Sequence, residues 1–257
     1  MVKERPELIV ALDVDTLEEI RTLVDVLDDS VDIYKIGSQA FTACGPAAVR
    51  FVLARGKRVF LDLKYHDIPN TVASAVRAAV SLPRAVERNV PISKESPQPG
   101  KLFMVTLHTC GGEEMMRAAV QASAEAANEF NAPRPLIVGV TVLTSQEAKQ
   151  GLTDAGQGDN ILPLVLERAA LARRAGLDGV VASCHEAAAI RKQFGPDFVI
   201  VTPGIRPVGT DVGDQKRVAT PKAAVENGSH FLVVGRPVVR APDPQAAARQ
   251  ILNEIRF

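Results

Sequence analysis

"VFLDLKYHDIPNT", residues 59–71, passes from a short apolar run into Asp62, Lys64 and Asp67, and then into the Ile68-Pro69 step. An apolar β-branched run of this length reads as a buried strand, and the charges at its end mark where it emerges. The same arrangement recurs along the chain. Strands are expected at Leu8–Leu12, Val31–Ile36, Val59–Leu63, Leu102–Leu107, Leu136–Val142, Gly179–Ala182, Phe198–Val201 and Phe231–Val234. Ala-rich helical patterns separate them, among them Thr16–Leu27, Gly112–Asn131, Ile161–Ala175 and His185–Phe194. Repeated strand–helix order implies a parallel sheet. Eight strands in 257 residues favour an α/β fold of the (β/α)8 TIM-barrel type, one domain over residues 1–257, above an open sheet. No G-x-G-x-x-G follows the first strand, which weakens a dinucleotide-binding sheet further.

One stretch breaks the rhythm. Residues 81–101 carry prolines at 83, 91, 97 and 99, which exclude a continuous helix. An exposed excursion is expected there, on the barrel face opposite the usual active site.

Composition narrows the function classes. Lys plus Arg and Asp plus Glu each total 30, so no net field recruits nucleic acid or a membrane surface, and neither is expected as a partner. Cys44, Cys110 and Cys184 are widely spaced and lack a C-x-x-C, which reads as reduced thiols rather than a disulfide frame or zinc site. The first residues lack a signal-peptide layout and no apolar run is long enough to span a bilayer, so a cytoplasmic protein is expected.

In a parallel barrel, functional groups stand where strands end. Asp13 follows the first strand, Lys35 lies on the second, Asp62 and Lys64 on the third, and Asp67 just beyond. Asp62 and Lys64 are two apart and share a face. Five ionisable groups on three adjacent strands point to a site, because partly buried charges persist when paired. Lys64 lies between two carboxylates in sequence, which favours an ammonium and disfavours imine chemistry. Lys35 and Lys64 would occupy the same space as a magnesium ion and repel it, so a metal is also disfavoured. A fixed cation suits proton transfer at carbon, and decarboxylation with protonation of the resulting carbanion suits it best. The loops after strands seven and eight, 202–217 and 233–239, occupy the frequent phosphate position of this fold, with Gly235 offering backbone N–H and Arg236 charge.

These residues also resemble a known family. "ALDV" at 11–14, "YKIG" at 34–37, "LDLKYHDIPNT" at 61–71, "VTVLTS" at 140–145, "VTPGIRP" at 201–207, "GDQKR" at 213–217 and "VVGRPV" at 233–238 are similar to bacterial orotidine 5′-phosphate decarboxylase, in order and over nearly the whole chain. The resemblance implies conversion of orotidine 5′-phosphate to uridine 5′-phosphate and CO2, the last step of de novo uridine monophosphate synthesis, without metal or cofactor. It implies that Lys64 delivers the proton to C6, that Asp62 lies beside the substrate carboxylate, and that Lys35 and Asp67 complete a Lys–Asp–Lys–Asp array. It further implies a homodimer with sites at the interface, across which Asp67, Ile68 and Thr71 act. By the same matching, Asp13 binds ribose and Thr144 lies near the pyrimidine. Gln215, Gly235 and Arg236 grip pyrimidine and phosphate, and Pro203 and Arg206 contact substrate from the loop after strand seven.

Two features depart from the family pattern: the length of the 81–101 excursion, and "TLHTCGG" at 106–112 in place of N-V-H-A-x-G-G. Neither touches the charged array. His66, His108, His185 and His230 are read as structural or packing groups, and Cys184 as a packed thiol. A metal-dependent sugar-phosphate decarboxylase or aldolase on the same barrel is the nearest alternative. It shares D-x-K-x-x-D but continues with A-G, where this chain has Ile68-Pro69-Asn70. A catalytically silent nucleotide-binding barrel is the other; loss of Asp62, Lys64 or Asp67 would be its signature, and all three are present.

Overall fold

The computed structural model describes residues 5–84, 100–144, 161–207 and 217–256. Eight parallel strands follow one another around a closed barrel in chain order, and β1 (Glu7–Ala11) closes the ring against β8 (Phe231–Val234). Between them stand β2 (Ile33–Gly37), β3 (Arg58–Tyr65), β4 (Leu102–His108), β5 (Leu136–Val140), β6 (Gly179–Val181) and β7 (Val199–Thr202). The barrel expected from the sequence is therefore the fold observed.

Helices on the outside are α1 (Leu17–Val26), α2 (Ser38–Cys44), α3 (Pro46–Ala54), α4 (Pro69–Ser81) and α5 (Gly112–Phe130). They continue with α6 (Leu162–Arg174), α7 (Cys184–Phe194), α8 (Pro221–Glu226), α9 (Arg236–Val239) and α10 (Pro244–Ile255). Their starts are chemically marked. Thr16 with Glu19 and Ser183 with Glu186 form reciprocal capping boxes, satisfying amides that lack an intrahelical partner. Pro69, Pro221 and Pro244 sit in first turns, where a missing N–H costs no helix bond. Among the described residues no helix is long and apolar enough to cross a membrane. Residues 85–99 of the expected excursion lie outside the described residues.

Alternation along the strands creates two apolar layers. Ile9, Ile33, Phe60, Met104, Val138, Val199, Val201, Phe231 and Val233 fill the barrel interior. The opposite faces, including Val10, Tyr34, Leu61, Val105, Ile137, Val180, Ile200 and Leu232, pack against the helices. Every strand is thus apolar on both sides, as parallel strands under helices must be.

Candidate active site

The interior alternation continues upward until polar residues replace apolar ones. Above Ala11 comes Asp13; above Ile33 comes Lys35; above Phe60 come Asp62 and Lys64; above Met104 come Thr106 and His108. Lys35 is 9% exposed and Asp62 7%, so both charges sit inside the mouth rather than on its rim. They survive there because each is paired. The Lys35 ammonium lies 3.0 Å from Asp13 Oδ1 and 3.4 Å from Asp62 Oδ2. Lys64 Nζ donates to the same Asp62 Oδ2 at 2.9 Å. One carboxylate oxygen therefore faces two ammonium groups. Gly37 makes room for this: a Cβ there would stand 2.7 Å from Lys35 Nζ.

Regular strand geometry alone does not deliver Lys64. Its φ is 51°, in the left-handed region, which costs a non-glycine residue about 1–2 kcal/mol. The β3–β4 register slips at the same place, since Leu61 pairs with Val105 but Tyr65 pairs with Leu107. The bulge removes the Lys64 amide from the regular ladder. The fully buried Thr106 hydroxyl takes over, accepting from Lys64 N–H at 2.9 Å and donating to Asp62 Oδ1 at 3.0 Å. Bulges next to active sites commonly re-aim a side chain in this way.

Burial would raise the Asp62 carboxyl, but the Lys35 and Lys64 ammoniums, with hydrogen bonds from Lys64 and Thr106, outweigh it and hold it below the usual range. Burial would likewise lower the Lys35 ammonium, and Asp62 and Asp13 together more than offset that, leaving it above its ordinary value. Lys35 thus stands as an ammonium between Asp13 and Asp62. Among the described residues no group of three His, Cys, Asp or Glu side chains is arranged to hold a metal ion.

These charges line one side of a cavity of about 480 Å³ at the barrel mouth. Thr144, Pro203, Arg206, Gly235 and Arg236 line the same cavity, joined by Gln39 and Arg240, which the sequence reading passed over. Arg240 stands one helical turn after Arg236, with its N–H donating to Arg236 O at 3.0 Å, so the i, i+4 spacing on α9 was the available signal. The base of the loop after β7 is tied down by a bridge between Ile205 and Ala219, with Arg206 N–H donating to Ala219 O at 2.8 Å. Gln215 lies outside the described residues. Asp67, Ile68 and Thr71 do not line this cavity. All three are exposed, and Asp67 Oδ1 accepts the Ile68 N–H at 2.7 Å.

Residues 6–251 match the sequence profile of the orotidine 5′-phosphate decarboxylase / HUMPS family. The chain belongs to this family. Among its relatives, the protein named orotidine 5′-phosphate decarboxylase of Moorella thermoacetica is 48% identical, the match covering 98% of this chain and 92% of that one. The protein of the same name from Geobacter metallireducens is 47% identical over 98% of this chain and 96% of its own. A crystal structure of orotidine 5′-phosphate decarboxylase from Lactobacillus acidophilus superposes with a TM-score of 0.80 at 33% identity, covering 99% of this chain and 100% of that one.

The other groups singled out in the sequence fall around this cavity rather than within its charged cluster. His66 and His108 face one another at 5.8 Å between ring centroids. Burial, then His66 and Lys64, push His108 below its ordinary value, so it is neutral at neutral pH. Cys184 is buried under α8, accepts from Asn227 Nδ2 at 3.2 Å, and is pushed up by burial, the opposite of an activated thiol.

Proposed function

We propose that this chain decarboxylates orotidine 5′-phosphate to uridine 5′-phosphate and CO2, as the last step of uridine monophosphate synthesis in the cytoplasm. The observation that carries this reading is the placement of Lys64 Nζ and Lys35 Nζ on one oxygen of the buried Asp62, within a cavity that Arg206 and Arg236 also line. The named relatives at 47–48% identity support orotidine 5′-phosphate as the substrate within the family. Ile68-Pro69-Asn70 after Asp67, and Lys35 seated between Asp13 and Asp62, disfavour the metal-dependent alternative.

In this reading the phosphate is held by Gly235 and Arg236 and the ribose by Asp13, with Thr144, Pro203, Arg206 and Gln215 completing the grip. Binding energy from the phosphate end would then be available to hold the substrate carboxylate against Asp62. The bond between C6 and the carboxylate breaks, CO2 leaves, and the electron pair stays on C6. Lys64 supplies the proton that this carbon takes, and its amine regains one from water. Lys35 keeps Asp62 ionised and fixed, a preorganised electrostatic role. Asp67, Ile68 and Thr71 are assigned to the site of a second copy in a homodimer. Their exposure supports this assignment: at 66%, Ile68 is the most exposed large apolar side chain among the described residues.

The test is loss of orotidine 5′-phosphate absorbance on adding protein in excess EDTA. Conversion to uridine 5′-phosphate is expected. No conversion by folded protein, with magnesium-dependent turnover of a sugar phosphate instead, would replace this reading by the metal-dependent one.

A further inference from the structure

We infer that Thr106 is a positioning residue for the reaction, fixing Asp62 and Lys64 relative to one another through a single hydroxyl. The inference rests on the decarboxylase reading of the site. Among the described residues, Thr106 Oγ1 is the group outside the D-x-K segment that bonds to both of its functional residues, at 2.9 Å from the Lys64 amide and 3.0 Å from Asp62 Oδ1. The direction of both bonds is fixed by chemistry. An amide can only donate, so the hydroxyl accepts from Lys64 and must spend its own proton on the carboxylate.

Two consequences follow for Asp62. With Oδ1 accepting from Thr106, the two ammonium groups share Oδ2, and any rotation of the carboxylate that gave each lysine its own oxygen would strain the Thr106 bond. Lys64 Nζ is thereby held on the Lys35 side of the mouth. The hydroxyl also adds to the interactions that keep Asp62 ionised in its buried setting. For Lys64, the same hydroxyl replaces the strand partner that its amide lacks at the bulge, and so supports the left-handed backbone that aims the side chain. Thr106 does not line the cavity. Its effect reaches the substrate only through Asp62 and Lys64.

Thr106→Val removes the hydroxyl at nearly constant volume, and Thr106→Ala does so without any γ-methyl that could press on Asp62. Both, with Thr106→Ser and the unsubstituted protein, are assayed for kcat and KM across pH, for uridine 5′-phosphate affinity, and for folding by circular dichroism. In whichever hydroxyl-free variant is folded, kcat is expected to fall about 10- to 100-fold while KM and product affinity stay within about threefold. The acid limb of kcat should move to higher pH, because Asp62 loses a donor to its charged form. Thr106→Ser should recover to within about threefold. Unchanged kcat in a folded hydroxyl-free variant, beside an active unsubstituted protein, overturns the role of Thr106 alone. Equal loss in Thr106→Ser also overturns it, since packing and not the hydroxyl would then be responsible. Absence of turnover in the unsubstituted protein overturns the decarboxylase reading itself.

Discussion

Strand β3 carries a charged cluster at each end, and the two are built from different cations. At its start, Arg58 bonds Glu7 through its guanidinium and donates from Nε to Asp32 at 2.6 Å, with the guanidinium stacked 4.8 Å over the Phe103 ring. Six residues later Lys64 and, on the adjacent strand, Lys35 meet Asp62. Both clusters neutralise partly buried charge, so pairing alone does not distinguish them. The cation type does. A guanidinium offers a rigid fork that satisfies two carboxylates at once and cannot give up a proton under protein conditions. An ammonium is a point charge with protons it can transfer. In the proposed function, the start of β3 is organised for permanence and its end for exchange. The bottom of a barrel is where stability is expected and the top is where chemistry is expected.

Exchanging the cations sharpens this contrast most. Lys64→Arg keeps the charge but removes the transferable proton; turnover is expected to fall more than about 1000-fold, close to the loss in Lys64→Ala. Uridine 5′-phosphate binding should stay measurable in Lys64→Ala. Turnover of Lys64→Arg above about a tenth of the original would mean that charge alone suffices, and the proton-donor assignment would fall. In the proposed function, arginine at the top has a separate task. Arg236→Ala should weaken phosphate-bearing pyrimidine ligands by about 100-fold, corresponding to about 3 kcal/mol for a charge-assisted contact, and leave the bare nucleoside unaffected. Equal losses for both ligands would remove the phosphate role.

The reverse exchange tests the bottom. Arg58→Lys should lower stability by about 1–2 kcal/mol, because a point charge cannot reproduce the fork to Glu7 and Asp32 or the stacking on Phe103. Turnover per folded molecule should not change. Urea unfolding and steady-state assays on the same preparation decide it: a loss of kcat at unchanged stability would erase the distinction between the two ends.

How much of this was legible in the sequence depends on whether a residue's neighbours are near it in the chain. The barrel was legible because each strand is a short apolar run and each helix announces its start, as with Thr16 and Glu19. Strand ends were less so. Leu136–Val142 was expected to be extended throughout, yet β5 stops at Val140, where Thr141 turns its hydroxyl onto Val181 O at 3.0 Å. The charged array was legible because Asp62 and Lys64 lie two apart, while Lys35 lies on the second strand and Asp13 follows the first. Thr106 was not. Its signal existed, a polar residue alternating with Met104 on the inward face of β4, but a neutral hydroxyl draws no notice among ionisable groups. The bulge at Lys64 was also hidden, since a left-handed φ at a lysine follows from a partner 42 residues away and not from local sequence.

The smallest expected effect concerns a bottom group that could exchange protons but is prevented from doing so. His230 precedes β8, and its Nδ1 accepts the Ile200 N–H at 3.0 Å while its Nε2 lies 3.1 Å from Pro196 O, so the neutral ring is already fully engaged. Arg191 is packed against it and also donates to Gly228 O at 2.5 Å. Burial and the Arg191 charge push His230 down to about 4, and the contact with Pro196 O only partly opposes them. In the unfolded chain the same group takes up its proton near 6.5. As pH falls below about 6.5 the unfolded state gains a proton that the native state refuses, so stability present at neutral pH is lost progressively until about pH 4, below which this group adds nothing more. Because the ring is only partly buried, about 1 kcal/mol is expected between pH 7 and pH 4.5. His230→Gln keeps an acceptor and cannot titrate, so its urea midpoint should fall less over that interval than that of the unsubstituted protein. Parallel pH profiles would mean that His230 protonates without penalty. The bottom of the barrel would then tolerate the proton exchange that, on this view, belongs only to the top.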